Sequence, residues 1–198
     1  ELSGEQVRAL EPALSQSIIG GLYYPDTAHS IDPQQLVMGL EEHFEKRGGK
    51  FIQKDVITID FEDSNIIRLK TNAGMIEAKE VVIACGAWSK YVKKPLGHNV
   101  PLETERGYHL MLPEPSVEVT RPVTSFERSF VMTPMAHGLR LAGTVELAGL
   151  DAPENYQRAA QLFDYAKEIL PEVEKGEATS WMGHRPSLPD SLPVISRS

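Results

Sequence analysis

A chain of 198 residues with 41% hydrophobic and 24% charged residues has the composition of a globular protein able to bury a core, as one domain or parts of two. Its formal net charge of -8, with no basic stripe, argues against a nucleic-acid partner. The single cysteine, Cys85, excludes an internal disulfide and a multi-cysteine zinc site, and it fits a reducing, cytoplasmic compartment.

Residues 1 to 15 read as a short helix around Val7 and Leu10, broken at Pro12. Ile18 to Tyr24 reads as a strand in which Gly20-Gly21 marks a bulge or a close backbone approach. The next helix has the clearest signals. Asp32 can cap it, Pro33 fits its first position and Gln35 stands at N3. Leu36, Leu40 and Phe44 form one apolar face, Lys46 and Arg47 suit the C-terminal end of the dipole, and Gly48-Gly49 ends the helix.

Strands follow at about 51–60, 65–71 and 75–79, with turns at 62–65 and 72–74. Val81 to Cys85 is apolar without alternation, which predicts a strand buried on both faces, as in a parallel sheet. A short helix carries Lys90 to Lys94, ended by Pro95 and Gly97. Strands are then predicted near 107–112, 117–123, 128–133 and 138–146. A second amphipathic helix spans about 153–170, with Ala159, Leu162, Phe163, Ala166, Ile169 and Leu170 on its apolar face and Pro171 as its stop. The fold class is therefore mixed α/β material followed by α+β material, with a switch near residue 93. No apolar run approaches the roughly 20 residues that span a bilayer, although peripheral attachment needs none. An opening on Glu1-Leu-Ser, without methionine, suggests partial coverage.

Two stretches carry chemistry. One is Trp181-Met-Gly-His-Arg185-Pro186, followed by Pro189-Asp190 and Pro193-Val-Ile195; the other is Val81-Val-Ile-Ala-Cys85-Gly86-Ala87-Trp88-Ser89. Glu105-Arg-Gly-Tyr-His109, and Pro134 followed by Gly138-Leu-Arg-Leu-Ala-Gly143-Thr144-Val-Glu146, agree with them. Together they resemble the D-amino-acid oxidase superfamily of flavoproteins, most closely its D-amino-acid dehydrogenase branch. The resemblance implies an FAD domain and an antiparallel substrate domain that the chain enters more than once. It divides the sequence into a leading substrate-domain segment (1–30), a partial FAD domain (31–92), the substrate domain (93–180) and a return segment (181–198).

By this resemblance FAD lies beside Cys85, Gly86, Ala87 and Trp88, and the backbone of Val56 meets its adenine. Gly86 and Ala87 leave room for a pyrophosphate, and a following helix start would help with its charge. The plain alternative is a core strand ending in a tight turn, in which Cys85 is only a small apolar residue. Arg185 is the group that would hold a substrate carboxylate, because a planar guanidinium makes two parallel hydrogen bonds to it. The alternative is a surface ion pair with Asp190. Tyr108, His109 and His184 would line the substrate pocket, or else be satisfied structural groups. Phe130 and Met132 share one strand face, which suits either a side-chain pocket or core packing.

The implied reaction is oxidation of the Cα–N bond of a D-amino acid by FAD, then hydrolysis to a keto acid and ammonia. A glycine or sarcosine oxidase, and a non-catalytic carboxylate- or protein-binding domain, are the alternatives. No glycine-rich dinucleotide fingerprint is present, and Ser196 stands where the family has glycine. The chain is thus expected to be the middle of a flavoenzyme that binds FAD weakly or not at all by itself. Open strand edges would favour a homodimer. The preferred amino acid, the electron acceptor (oxygen, a quinone or a carrier) and peripheral attachment to an inner membrane stay open.

Overall fold

The structure, a computed structural model, describes residues 1–63, 66–92 and 100–197. They form two compact units. One comprises Glu1–Val37, Arg106–Glu146 and Ala152–Gly183, and the other comprises Met38–Glu105, Leu147–Asp151 and His184–Ser198. The turn expected over 62–65 lies partly outside the described residues. The helix end expected at Pro95 and Gly97, and the switch near residue 93, lie wholly outside them.

In the first unit, strand β1 (Leu2–Ser3) pairs with β2 (Gly20–Gly21), and helix α1 (Gly4–Leu10) lies between them in sequence. A complete capping box starts α1: Gln6 N–H donates to Ser3 Oγ (3.3 Å) and Ser3 N–H donates to Gln6 Oε1 (2.8 Å). The strand expected over Ile18–Tyr24 shrinks to the two glycines. There a Cβ on Gly20 would sit 2.9 Å from the Leu2 carbonyl oxygen, so the backbones approach closely. Leu22, Tyr23 and Tyr24, beyond that pairing, are exposed.

A five-stranded sheet has the order β10-β6-β9-β8-β7. Its strands are β6 (Glu103–Leu112), β7 (Val123–Ser125), β8 (Phe130–Met135), β9 (Gly138–Glu146) and β10 (Thr179–Ser187). Neighbours β6/β9, β9/β8 and β8/β7 pair antiparallel. The division between units falls within β6 and β10, after Glu105 and after Gly183. In β6 every second residue from Thr104 to Leu112 is buried, the two-residue period of a strand with one covered face. Leu110, Leu112, Phe130, Met132, Leu139 and Leu141 form a core with Leu162, Ala166, Ile169 and Leu170. The last four belong to α4 (Gln157–Ile169) and its C-cap, the amphipathic helix that the sequence predicts. Gly138, at φ 126°, makes the β8–β9 turn in a conformation open to glycine.

The strand expected over 117–123 does not form; only Val123–Ser125 joins the sheet. Thr120 gives both its N–H and its hydroxyl to the buried carboxylate of Glu11, and Pro122 has no N–H to give. That backbone is spent on a side chain instead of a ladder.

Helix α2 (Pro33–Lys46) has the bounds its signals predict, and Gln35 N–H donates to Asp32 Oδ1 at 3.0 Å. Gly48, at φ 90°, ends it in the left-handed region. Its apolar residues Leu36, Leu40 and Phe44 are exposed. Because the Asp32 cap binds an otherwise orphaned amide, Asp32→Ala should destabilise α2 by about 1 kcal/mol, read as an earlier loss of helical circular dichroism in urea.

The second unit holds an antiparallel sheet β3-β4-β5, formed by Val56–Asp63, Ile66–Thr71 and Gly74–Ala78. A 3-10 turn at Gly86–Trp88 and helix α3 (Ser89–Val92) follow. Val81 to Cys85 is a correction to the expected buried parallel strand. It forms no strand, Val82 is 89% exposed, and Cys85 is exposed. No described strand runs beside it, so its backbone has no ladder, and Val81 and Ile83 are only partly buried. The pairs β1/β2, β3/β4, β4/β5, β6/β9, β7/β8 and β8/β9 are all antiparallel. No helix among the described residues is long and apolar enough to cross a membrane.

Candidate functional site

Arg185 stands on β10, an outer strand of its sheet, the kind of strand that tolerates a proline such as Pro186. Its Nη1 donates to Glu105 Oε2 at 3.3 Å, and Ser187 Oγ donates to Glu105 Oε1 at 2.9 Å. Glu105, not Asp190, is therefore its counter-charge; Asp190 accepts from the Leu192 N–H instead. The Arg185 side chain is 64% exposed, and only one nitrogen of its fork has a partner among the described residues. A carboxylate arriving at that guanidinium finds two of its nitrogens, Nε and Nη2, still unused.

The neighbouring residue reaches the other predicted site. His184 Nδ1 lies 3.3 Å from the hydroxyl of buried Thr104, and its ring meets the Trp88 indole edge-on at 5.1 Å and 73°. Two stretches nearly a hundred positions apart in the sequence, the Gly86–Trp88 turn and the arginine segment, thus touch within one unit. In that turn Gly86 has φ 54° and open space around its missing Cβ, Ala87 is buried, and Trp88 is half exposed. The helix start expected to help hold negative charge belongs to α3, whose four residues are too few for a useful dipole.

Val56 opens β3, an outer strand. Asn72 N–H donates to the Asp55 carbonyl (3.1 Å), so Val56 and Thr71 form the pair that does not exchange backbone bonds. The N–H and C=O of Val56 consequently point to the open side of the sheet. A main-chain contact at Val56 and a small-residue approach at Gly86 both fit an FAD, and these two positions with Ala87 and Trp88 are the ones that would hold it.

The first unit places the remaining candidates. Phe130 and Met132 are buried in the core described above. Tyr108 is buried too; its hydroxyl donates to Glu146 Oε2 and accepts from Asn155 N–H (3.1 Å). Its phenol is raised above the usual value, by burial first and then by the bond to Glu146. The Glu146 carboxyl is held low by that same bond and by Arg106 and Arg158, against its own desolvation. Arg106 is fully buried, with Nη2 donating to the Pro153 carbonyl at 2.9 Å. Sequence reasoning quoted Arg106 and Glu146 within motifs without giving them a role. The alternation Thr104, Arg106, Tyr108, Leu110, Leu112 was the signal that puts Arg106 and Tyr108 on the covered face.

His109 lies on the opposite face of β6, stacked on Trp181 at 4.9 Å and 22°. Its Nδ1 is buried without a hydrogen-bond partner among the described residues. Burial, with the nearby charge of Arg140, lowers the imidazole from 6.5 to about 4. The unfolded chain therefore takes a proton that the folded chain refuses between those values, and stability is lost as pH falls from about 6.5 to about 4. His109→Gln should flatten that part of the urea-midpoint curve against pH. The Glu146 carboxylate contributes in a lower window, below the usual carboxylate value of 4.5, so the two are separable.

The family model described as FAD dependent oxidoreductase (DAO) matches residues 1–198. The chain belongs to this family. A D-amino-acid oxidase of Bradyrhizobium diazoefficiens is 33% identical over 202 residues, covering 100% of this chain and 48% of the relative. A D-amino acid dehydrogenase of Vibrio atlanticus is 28% identical over 201 residues, covering 98% and 48%. Among solved structures, glycine oxidase from Geobacillus kaustophilus superposes with a TM-score of 0.84 at 22% identity, over 100% of this chain and 53% of that one. That likeness speaks for the fold. The chain spans about half the length of the curated DAO relatives it matches.

Proposed function

We propose that the whole protein oxidises the Cα–N bond of a D-amino acid to an imino acid, which water then converts to a keto acid and ammonia. The observation that carries this reading is the half-used guanidinium fork of Arg185, in the same unit as the Gly86–Trp88 turn. The 33% identical D-amino-acid oxidase supports the substrate class. When bound, FAD supplies the acceptor for two electrons and the Cα hydrogen. This chain supplies placement. Arg185 takes the carboxylate in two charge-assisted hydrogen bonds, and Glu105 holds the guanidinium plane from one side. The open backbone of Val56 and the space at Gly86 receive the cofactor. His109 is no general base for an ammonium group, since an imidazole near 4 cannot keep a proton at neutral pH. The oxidation needs the amine in its neutral form.

The test is the visible spectrum of the full-length flavoprotein during anaerobic addition of D-amino acids, L-amino acids, glycine and N-methylglycine in turn. Bleaching by D-amino acids at the lowest concentration is the expected result. Bleaching by glycine and N-methylglycine alone would replace the reading with a glycine-type oxidase.

A further inference from the structure

The contacts of His184 have no role in the reading so far, and they join its two halves. On β6 and β10, two consecutive residues of one strand meet two consecutive residues of the other. Thr104 meets His184, and Glu105 meets Arg185. Successive strand residues point to opposite faces, so the first pair lies on the covered side with buried Thr104 and the second on the side that presents the guanidinium. From the covered side the imidazole reaches Trp88 at the end of the Gly86–Trp88 turn. A second tether runs in parallel: Lys90, two residues beyond Trp88, lies 3.9 Å from Glu103, whose carboxylate accepts the Thr104 N–H at 3.0 Å. All of these residues belong to the second unit.

We infer that His184 and Thr104 are positioning residues that fix the Gly86–Trp88 turn at a set distance from Arg185. Resting on the function proposed above, the inference says that cofactor and carboxylate are held in mutual register by this pair. Thr104 fixes the imidazole, the imidazole fixes the indole, and the backbone of His184 leads directly into Arg185. A carboxylate would still bind when the pair is lost, because Arg185 and Glu105 remain. The reacting carbon would then sit at a less favourable distance and angle, where displacements near 1 Å cost about 100-fold in rate.

The experiment compares His184→Ala, Thr104→Val and Thr104→Ser in the full-length holoenzyme. Stopped-flow flavin reduction gives a limiting rate and an apparent substrate Kd. Titration of FAD into apoprotein, followed by flavin fluorescence, gives a readout independent of turnover. His184→Ala and Thr104→Val should lower the limiting rate about 10- to 100-fold, weaken FAD several-fold and leave the substrate Kd nearly unchanged. Thr104→Ser, which keeps the hydroxyl, should behave as wild type. Should His184→Ala fail to fold, the Thr104 pair carries the same comparison. Unchanged limiting rate and FAD affinity in both disruptive variants would overturn the inference, as would an equal loss in Thr104→Ser. These failures leave the proposed function standing if Arg185→Ala is impaired. An unchanged rate of flavin reduction in Arg185→Ala would overturn the placement of the carboxylate on Arg185, and this inference with it.

Discussion

Arg185→Ala should lower kcat/KM for the amino-acid substrate by about 100- to 10,000-fold. Hydrogen bonds to charged groups contribute about 1.5–3 kcal/mol each, and every 1.4 kcal/mol is a factor of ten. Two such bonds from one planar fork therefore account for about two to four decades, provided the guanidinium is not already saturated. It is not: Glu105 engages a single nitrogen at 3.3 Å. Arg185→Lys should recover only part of the loss, since an ammonium is a point charge without the fork. Steady-state kinetics with the two variants checks both statements. A fall in kcat/KM below threefold in Arg185→Ala would mean that the carboxylate is held elsewhere.

The largest effect on stability is expected at Arg106, where Arg106→Ala should cost about 3–5 kcal/mol. Its guanidinium has no solvent exposure, bonds to the Pro153 carbonyl and lies 3.4 Å from Glu146. Truncation leaves a cavity beneath β6, strips the Pro153 carbonyl of its donor and removes one of the two cations that balance Glu146. Arg106→Met keeps most of the volume and should cost less, because Glu146 retains Tyr108 and Arg158. The readout is the urea midpoint followed by circular dichroism. Equal midpoints for wild type and Arg106→Ala would show that the network adds nothing to the fold.

Features set by neighbouring residues were legible in the sequence, and features set by distant partners were not. The start of α2 follows from Asp32, Pro33 and Gln35, and its end from Gly48, all within one turn of the positions they specify. The buried face of α4 follows from helical spacing alone. Val81 to Cys85 reads as a buried strand because apolar runs usually are, yet a strand exists only with a neighbour, and here no described strand supplies one. The reverse error affects β10. Trp181, Gly183, Arg185 and Pro186 show neither alternation nor β-branched residues, but β6 beside them recruits the segment into the sheet. The Gly-His-Arg-Pro pattern is what singles out Arg185 in the sequence, but the pattern carries no sign of its partner. The counter-charge of Arg185 was not legible, because Glu105 is eighty residues away in sequence and Asp190 only five.

The split of Glu105-Arg-Gly-Tyr-His109 shows how a motif resolves into roles. Alternation along β6 sends Arg106 and Tyr108 into the covered network, and turns Glu105 and His109 the other way. Nothing in the string of letters separates these two sets until the strand period is applied to it.

The most direct measurement compares D-alanine with ethylamine, the same amine without its carboxylate, as reductants of the flavin in wild type and in Arg185→Ala. Wild type should favour D-alanine by about 100- to 10,000-fold, on the hydrogen-bond energies used above, and the variant should lose nearly all of that preference while still reacting slowly with both. A preference that survives in Arg185→Ala, or one that never existed in wild type, would contradict the assignment of Arg185 as the group that reads the substrate carboxylate.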